Sequence, residues 1–295
     1  MNAVIKDMVG IAPTLHSSAV LVSLKIGIWN TKRKDKKQTE KVKNDAGAQG
    51  NVGAYQKNLM PDFRELESIT KFGADSRNWC KRETVPWTFD GVNVVSTEKL
   101  WNGFDQEMQD RQKQFYDMVE LVLIEYAQAR QIAQFRLSTM FDVNEYPTID
   151  EVRRKFYFEY SYHPVPQSGD FRVDVSNQGL QFLQEQFERE ANKAISEAMV
   201  SLWERVKKIT ETLSNQLRVT DKDKGKLYQS TLDTALDLCN MMKDLNLTGD
   251  PKMERMRRDL FSTLNGMDLN DLKKDETARL SVKQEIDDLL SKFDF

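Results

Sequence analysis

The sequence predicts an α+β fold that is predominantly α, and three observations carry it. Two long stretches repeat apolar residues every three or four positions, the pattern of amphipathic helices. One N-terminal stretch alternates apolar and polar residues, and two later stretches have the make-up of short hairpins. Charged residues are 30% of the 295 and the mean hydropathy is -0.62, a balance that suits long helices with solvated outer faces. With 39% apolar residues the chain can still build a core.

From Ser18 to Asn30, Val20, Val22, Leu24, Ile26 and Ile28 fall at period two, which predicts a half-buried strand. The basic run that follows contains Asp35, an N-cap for a short helix to about Asn44, and a Gly/Ala/Asn-rich loop comes next. Met60-Pro61-Asp62 predicts the start of a helix to about Lys81, with proline in its first turn. Between Thr84 and Val95, Asp90-Gly91 separates two apolar runs and predicts a hairpin.

Ser96 is placed to cap a helix reaching Phe141, with Trp101, Phe104, Met108, Phe115, Met118, Val122, Tyr126, Ile132, Ala133, Phe135, Leu137 and Met140 as its apolar positions. Such a helix is roughly 65 Å long. A capping box, Thr148 to Glu151, opens a short helix, and residues 156–175 read as a second hairpin. Ser176 caps another long helix, whose stripe runs from Leu180 and Leu183 through Ala198, Leu202 and Val206 to Leu217 at close to 3.7 residues per repeat. The two long helices are expected to fold back as an antiparallel pair. Helices near 222–246, 251–265 and 270–292 end the chain. The expected regions are 1–95 (basic, β/α), 96–220 (helical hairpin with an inserted β-hairpin) and 221–295 (helical).

Catalytic and metal chemistry find little support. The two histidines, His16 and His163, sit in different contexts without a nearby cysteine, whereas zinc needs three or four convergent ligands. No phosphate-binding glycine loop occurs, and Asp221-Lys222-Asp223-Lys224-Gly225 departs from a calcium loop at its fifth, sixth and twelfth positions. No nucleophile elbow is present. The expectation is a non-enzyme without cofactor or metal. No stretch has the roughly 20 uninterrupted apolar residues of a membrane span. Two cysteines far apart, Cys80 and Cys239, and the lack of an apolar leader point to the cytoplasm.

Charge is unevenly spread. Residues 1–60 hold ten basic and four acidic side chains, so that segment is net +6 and the remainder -9. Lys32, Arg33, Lys34, Lys36, Lys37, Lys41 and Lys43 follow the first strand directly. Lys36 and Lys37 fall in the first turn of the expected helix, where the macrodipole disfavours cations unless an anion sits there. Lys25, Trp29, Tyr55 and Lys57 would add charge and stacking surface, and together these residues form a candidate nucleic-acid interface, single strands being one form it could take. The competing reading is a solvated connection that pairs with the acidic remainder of the chain or with another subunit.

The order Ile28-Trp29, basic turn, Asp35-Lys36-Lys37, Gly/Ala-rich loop and Tyr55-x-Lys57-x-Leu59-Met60-Pro61 resembles the N-terminal signature of an uncharacterised family of bacteriophage and prophage proteins, as does Val85-Pro86-Trp87-x-x-Asp90-Gly91. Members tend to be encoded near a MoxR-type AAA+ ATPase and a protein with a von Willebrand A-type domain. The resemblance implies a phage protein acting in a bacterial host, and it carries no catalytic residues. The leading expectation is a nucleic-acid-binding protein that forms homo-oligomers through its helices. The alternative is a helical adaptor for such an ATPase or von Willebrand A-type partner.

Overall fold

The computed structural model describes residues 18–87, 91–165, 177–220, 223–246 and 249–292. In chain order the elements are β1 (Ala19–Gly27), β2 (Lys32–Lys34), α1 (Lys36–Asp45), β3 (Gln56–Asn58), α2 (Arg64–Glu83), β4 (Val85–Pro86), β5 (Val92–Ser96), α3 (Asp105–Leu137), α4 (Ile149–Arg153), β6 (Tyr157–Pro164), α5 (Asn177–Leu217), β7 (Val219–Thr220), β8 (Asp223–Lys224), α6 (Gln229–Leu245), α7 (Pro251–Leu264), α8 (Leu269–Lys274) and α9 (Glu276–Lys292). The fold is α+β and mostly α, as expected.

A four-stranded sheet has the order β4-β5-β1-β6, and two small ribbons pair β2 with β3 and β7 with β8. β1 runs antiparallel to β5, from Ala19 opposite Ser96 to Ser23 opposite Val92. It is more covered than the alternation predicted: Ala19 and Leu21 are buried on one face, Val22 and Ile26 on the other. The expected first hairpin forms, with Val85 opposite Val94. Gly91 takes φ +77°, the left-handed region that glycine adopts without strain, and the Trp87 N–H donates to the Val92 carbonyl at 2.9 Å. For the second hairpin only β6 can be assigned, since its return strand near Val175 and the Ser176 cap lie outside the described residues.

Local capping signals place most helix starts. Asp35, Ser96, Thr148 and Asp250 each accept a backbone N–H as N-caps, Thr148 with Glu151 in a full capping box, and Pro251 follows its cap at the first helical position. Four boundaries differ from expectation. Met60-Pro61 precedes α2 rather than opening it: Asn58 accepts from the Met60 N–H at 3.2 Å and donates to its carbonyl at 3.3 Å, and Asp62 adopts φ +61°. That turn delays the helix to Arg64. The helix capped by Ser96 is broken at Asn102-Gly103, where Gly103 takes φ +127°, so the continuous segment α3 is 33 residues, about 50 Å. Trp101, Ile132 and Phe135, expected as core, are exposed. The first and third of the expected C-terminal helices also change: α6 starts at Gln229, after the β7–β8 ribbon, and Asp275 separates α8 from α9.

The chain forms two compact units, one from Leu24–Trp79 with Gln106–Tyr160, here the ribbon unit, and one from the remaining segments, here the bundle unit. The two long helices, expected to pair within 96–220, therefore belong to different units. In the bundle unit α5 packs against α6, α9 and β4, while α7 packs on α6 and α9. Ala198, Leu202, Val206, Leu213 and Leu217 of the predicted α5 stripe are all buried there, against Leu238, Met256 and Ile286 among others.

One buried cation closes the far end of α5. Arg279 is 2% exposed and its guanidinium donates to three carbonyls, Leu217 at 3.0 Å, Gln216 and Gly225. A positive group at a helix C-terminus satisfies carbonyls that have no partner within the helix. Gly225 permits the approach, because a Cβ there would stand 2.5 Å from the Gln216 carbonyl oxygen. Arg279→Met, which keeps the volume but strands those carbonyls, is expected to lower unfolding free energy by about 3 kcal/mol in urea titration. Cys80 and Cys239 are buried, and burial pushes both thiols up to about 11. At pH 8 they are therefore protonated and shielded. Ellman's reagent is expected to titrate neither thiol in the native protein and both after unfolding.

Candidate nucleic-acid interface

The basic segment folds as a small module of the ribbon unit. β2 and β3 pair antiparallel, with Lys32 opposite Asn58, Arg33 opposite Lys57 and Lys34 opposite Gln56, and α1 connects toward the loop that returns to β3. Two short strands are marginal alone, so side-chain bonds fasten the module. The Asp35 N–H donates to the Tyr55 carbonyl at 3.0 Å, the Thr39 hydroxyl donates to the Asp35 carbonyl at 2.6 Å, and the same hydroxyl accepts the Tyr55 N–H at 3.0 Å. Thr39 is buried and so stitches helix to loop.

Lys57 is the anchor. It is 6% exposed, its Nζ lies 2.6 Å from Glu145 and 3.7 Å from Asp35, and it donates to the Met140 carbonyl at 2.7 Å. The sequence reading placed Lys57 on the interface; instead it is consumed internally. Its cross-strand partner Arg33 remains exposed. Trp29 is the second correction. It is 4% exposed, with its ring 5.8 Å from that of Tyr126 in an edge-to-face arrangement, so it packs internally and reaches the surface only within the lining of the hollow beside Lys32.

The remaining positions stay available. Lys25, Lys32, Arg33, Lys34, Lys36, Lys37 and Lys41 are exposed, and none has an ion-pair partner among the described residues. Lys25 lies on β1 rather than on the module, while the other six fall within ten consecutive residues. Lys43 is half-buried and lies 3.4 Å from Glu40. The two acids interleaved with the cluster, Asp35 and Glu40, are thus already matched, by Lys57 and Lys43. The N-terminus of α1 is matched too: the Gln38 N–H donates to Asp35 Oδ1 at 3.0 Å, so the chain's own carboxylate holds the place proposed for an external anion.

Two hollows flank the cluster. One of about 270 Å³ is lined by Val42, Lys43, Val52 and Tyr55, and Tyr55 is 41% exposed, an aromatic ring in the open beside the lysines. The other, about 440 Å³, has Met60, Phe63 and Leu66 on its apolar side and Lys32, Lys71 and Glu67 among its polar lining. Lys71 was invisible to sequence reasoning, because only the packing of α2 brings it to the hollow that Lys32 also lines.

Among the described residues no group of three His, Cys, Asp or Glu is placed to hold a metal. His163 is exposed on β6, with its Nε2 3.0 Å from the Ser161 hydroxyl. Among those residues no helix is long and apolar enough to cross a membrane. Comparisons with protein-family models, curated proteins and solved structures return no match.

Removing the Lys57 charge leaves two carboxylates with little water and no cation between them. Lys57→Met is expected to destabilise the protein by about 3 kcal/mol, read from urea unfolding, and adding Glu145→Gln is expected to recover part of that loss.

Proposed function

We propose that this protein binds nucleic acid without catalysing a reaction on it, and that the ribbon-helix module of residues 32–43 is the contact surface. One observation carries the reading: six exposed cations stand within ten residues, unpaired among the described residues, while the neighbouring acids are occupied by other lysines. A solvated connection that pairs with the acidic remainder would show these cations bridged to carboxylates, and no such bridge is present among the described residues. Clustered lysine and arginine attract a phosphodiester backbone by releasing its condensed counterions, a sequence-independent attraction.

Single strands are the favoured form. Tyr55 supplies a ring for stacking, and the hollow beside Lys32 and Lys71 has room for an unstacked base against Met60 and Phe63. The module resembles the signature of phage proteins, which agrees with a role on nucleic acid in an infected bacterial cell.

The purified full chain should bind fluorescent single-stranded oligonucleotides with an affinity that falls steeply with salt. Replacing Lys32, Arg33, Lys34, Lys36 and Lys37 together by Ala is expected to weaken binding at least tenfold at low salt and to reduce the log-log salt slope by about 3. Circular dichroism should be unchanged, since these side chains are exposed. Wild-type affinity and slope in that variant would overturn the reading.

A further inference from the structure

The outer face of α3 carries an apolar stripe that has no partner among the described residues. Ile124 is 70% exposed and Phe135 83%, and Leu121 and Ile132 are exposed beside them. Their spacing is symmetric. Taking the exposed Gln128 as centre, Leu121 and Ile124 lie seven and four residues before it, and Ile132 and Phe135 lie four and seven after it. At about 100° per residue these four side chains fall within an arc of about 80° centred on Gln128. The opposite face of the helix is committed to the ribbon-unit interior through Phe115, Val119, Val122 and Tyr126.

A surface that reads the same in both directions from its centre is complementary to a reversed copy of itself, which is the condition for an isologous twofold contact. We infer that α3 pairs antiparallel with α3 of a second copy of this chain, with Gln128 on the twofold axis. In that register Leu121 lies level with the partner copy's position 135 and Ile124 level with its position 132, so apolar groups meet apolar groups. Gln128 meets its own mate, and each amide can donate to and accept from the other, as a polar residue at the centre of a helix pair does when it specifies register.

Glu120 and Arg136, eight residues before and after Gln128, are committed within the chain, to Arg153 and Asp62, so the direction of pairing rests on the reversal symmetry of the stripe itself. The stripe spans 14 residue steps, about 21 Å of helix, a contact toward the small end of stable interfaces, so association should depend visibly on concentration.

Sedimentation of the full chain across the micromolar range, with nucleic acid absent, is expected to show a monomer-dimer equilibrium. Ile124→Glu should shift it to monomer with an unchanged unfolding midpoint, because residue 124 is exposed in the monomer. Orientation is read by single-cysteine oxidation, made possible by the burial of Cys80 and Cys239. Gln128→Cys should form a disulfide dimer readily, and Leu121→Cys should not, since antiparallel pairing holds the two copies of position 121 about 21 Å apart. A monomer at all concentrations, an undiminished dimer in Ile124→Glu, or cross-linking of Leu121→Cys in preference to Gln128→Cys would overturn the inference.

Discussion

The candidate site depends on a buried ammonium group. Lys57 lies between Asp35 and Glu145 and donates to the Met140 carbonyl, so it ties together the N-cap of α1, β3 and the segment that follows α3. Burying charge is costly unless every partner is supplied, and here two carboxylates and a carbonyl supply them. The cost has a functional counterpart. Because Lys57 neutralises Asp35, the acid set among the basic side chains does not offset the exposed cations around it.

The same logic, with neutral acceptors in place of carboxylates, operates in the bundle unit. There Arg279 is met by the carbonyls that end α5 and by that of Gly225. A guanidinium suits this role because its planar fork presents several donors in fixed directions. Among the described residues each unit thus commits one buried cation to its interior, Lys57 or Arg279. The contrast with Lys32 to Lys41, exposed and unpaired among the described residues, is what makes that run stand out as a surface for anions.

Much of the local structure was legible in the sequence. The Asp35, Ser96 and Thr148 caps, the Asp250-Pro251 start and the Asp-Gly hairpin act through hydrogen bonds and sterics that reach only three or four residues, so the residues that specify them are adjacent in the chain. The misplaced boundaries follow from equally local rivals: the Asn58 amide captured Met60, and Asn102-Gly103 interrupted a helix whose apolar spacing continued across it. Of the candidate interface residues, the lysines and arginine of the basic run proved exposed or nearly so. Trp29 and Lys57 did not, because no neighbour in sequence signals that Tyr126 or Glu145 will fold against them.

By itself the sequence determined the helix starts capped by Asp35, Ser96, Thr148 and Asp250, the predominantly helical class, and the concentration of positive charge after the first strand. These follow from periodicity, capping chemistry and composition, which are written within a few residues of where they act. Only the tertiary structure decided which cation is buried and which are free, and which face of α3 is left in solvent. It also decided that the two long helices belong to different compact units. The reason is that burial is settled by contacts between residues tens of positions apart, and an apolar stripe at helical spacing reads the same whether it meets a core, a second copy or water.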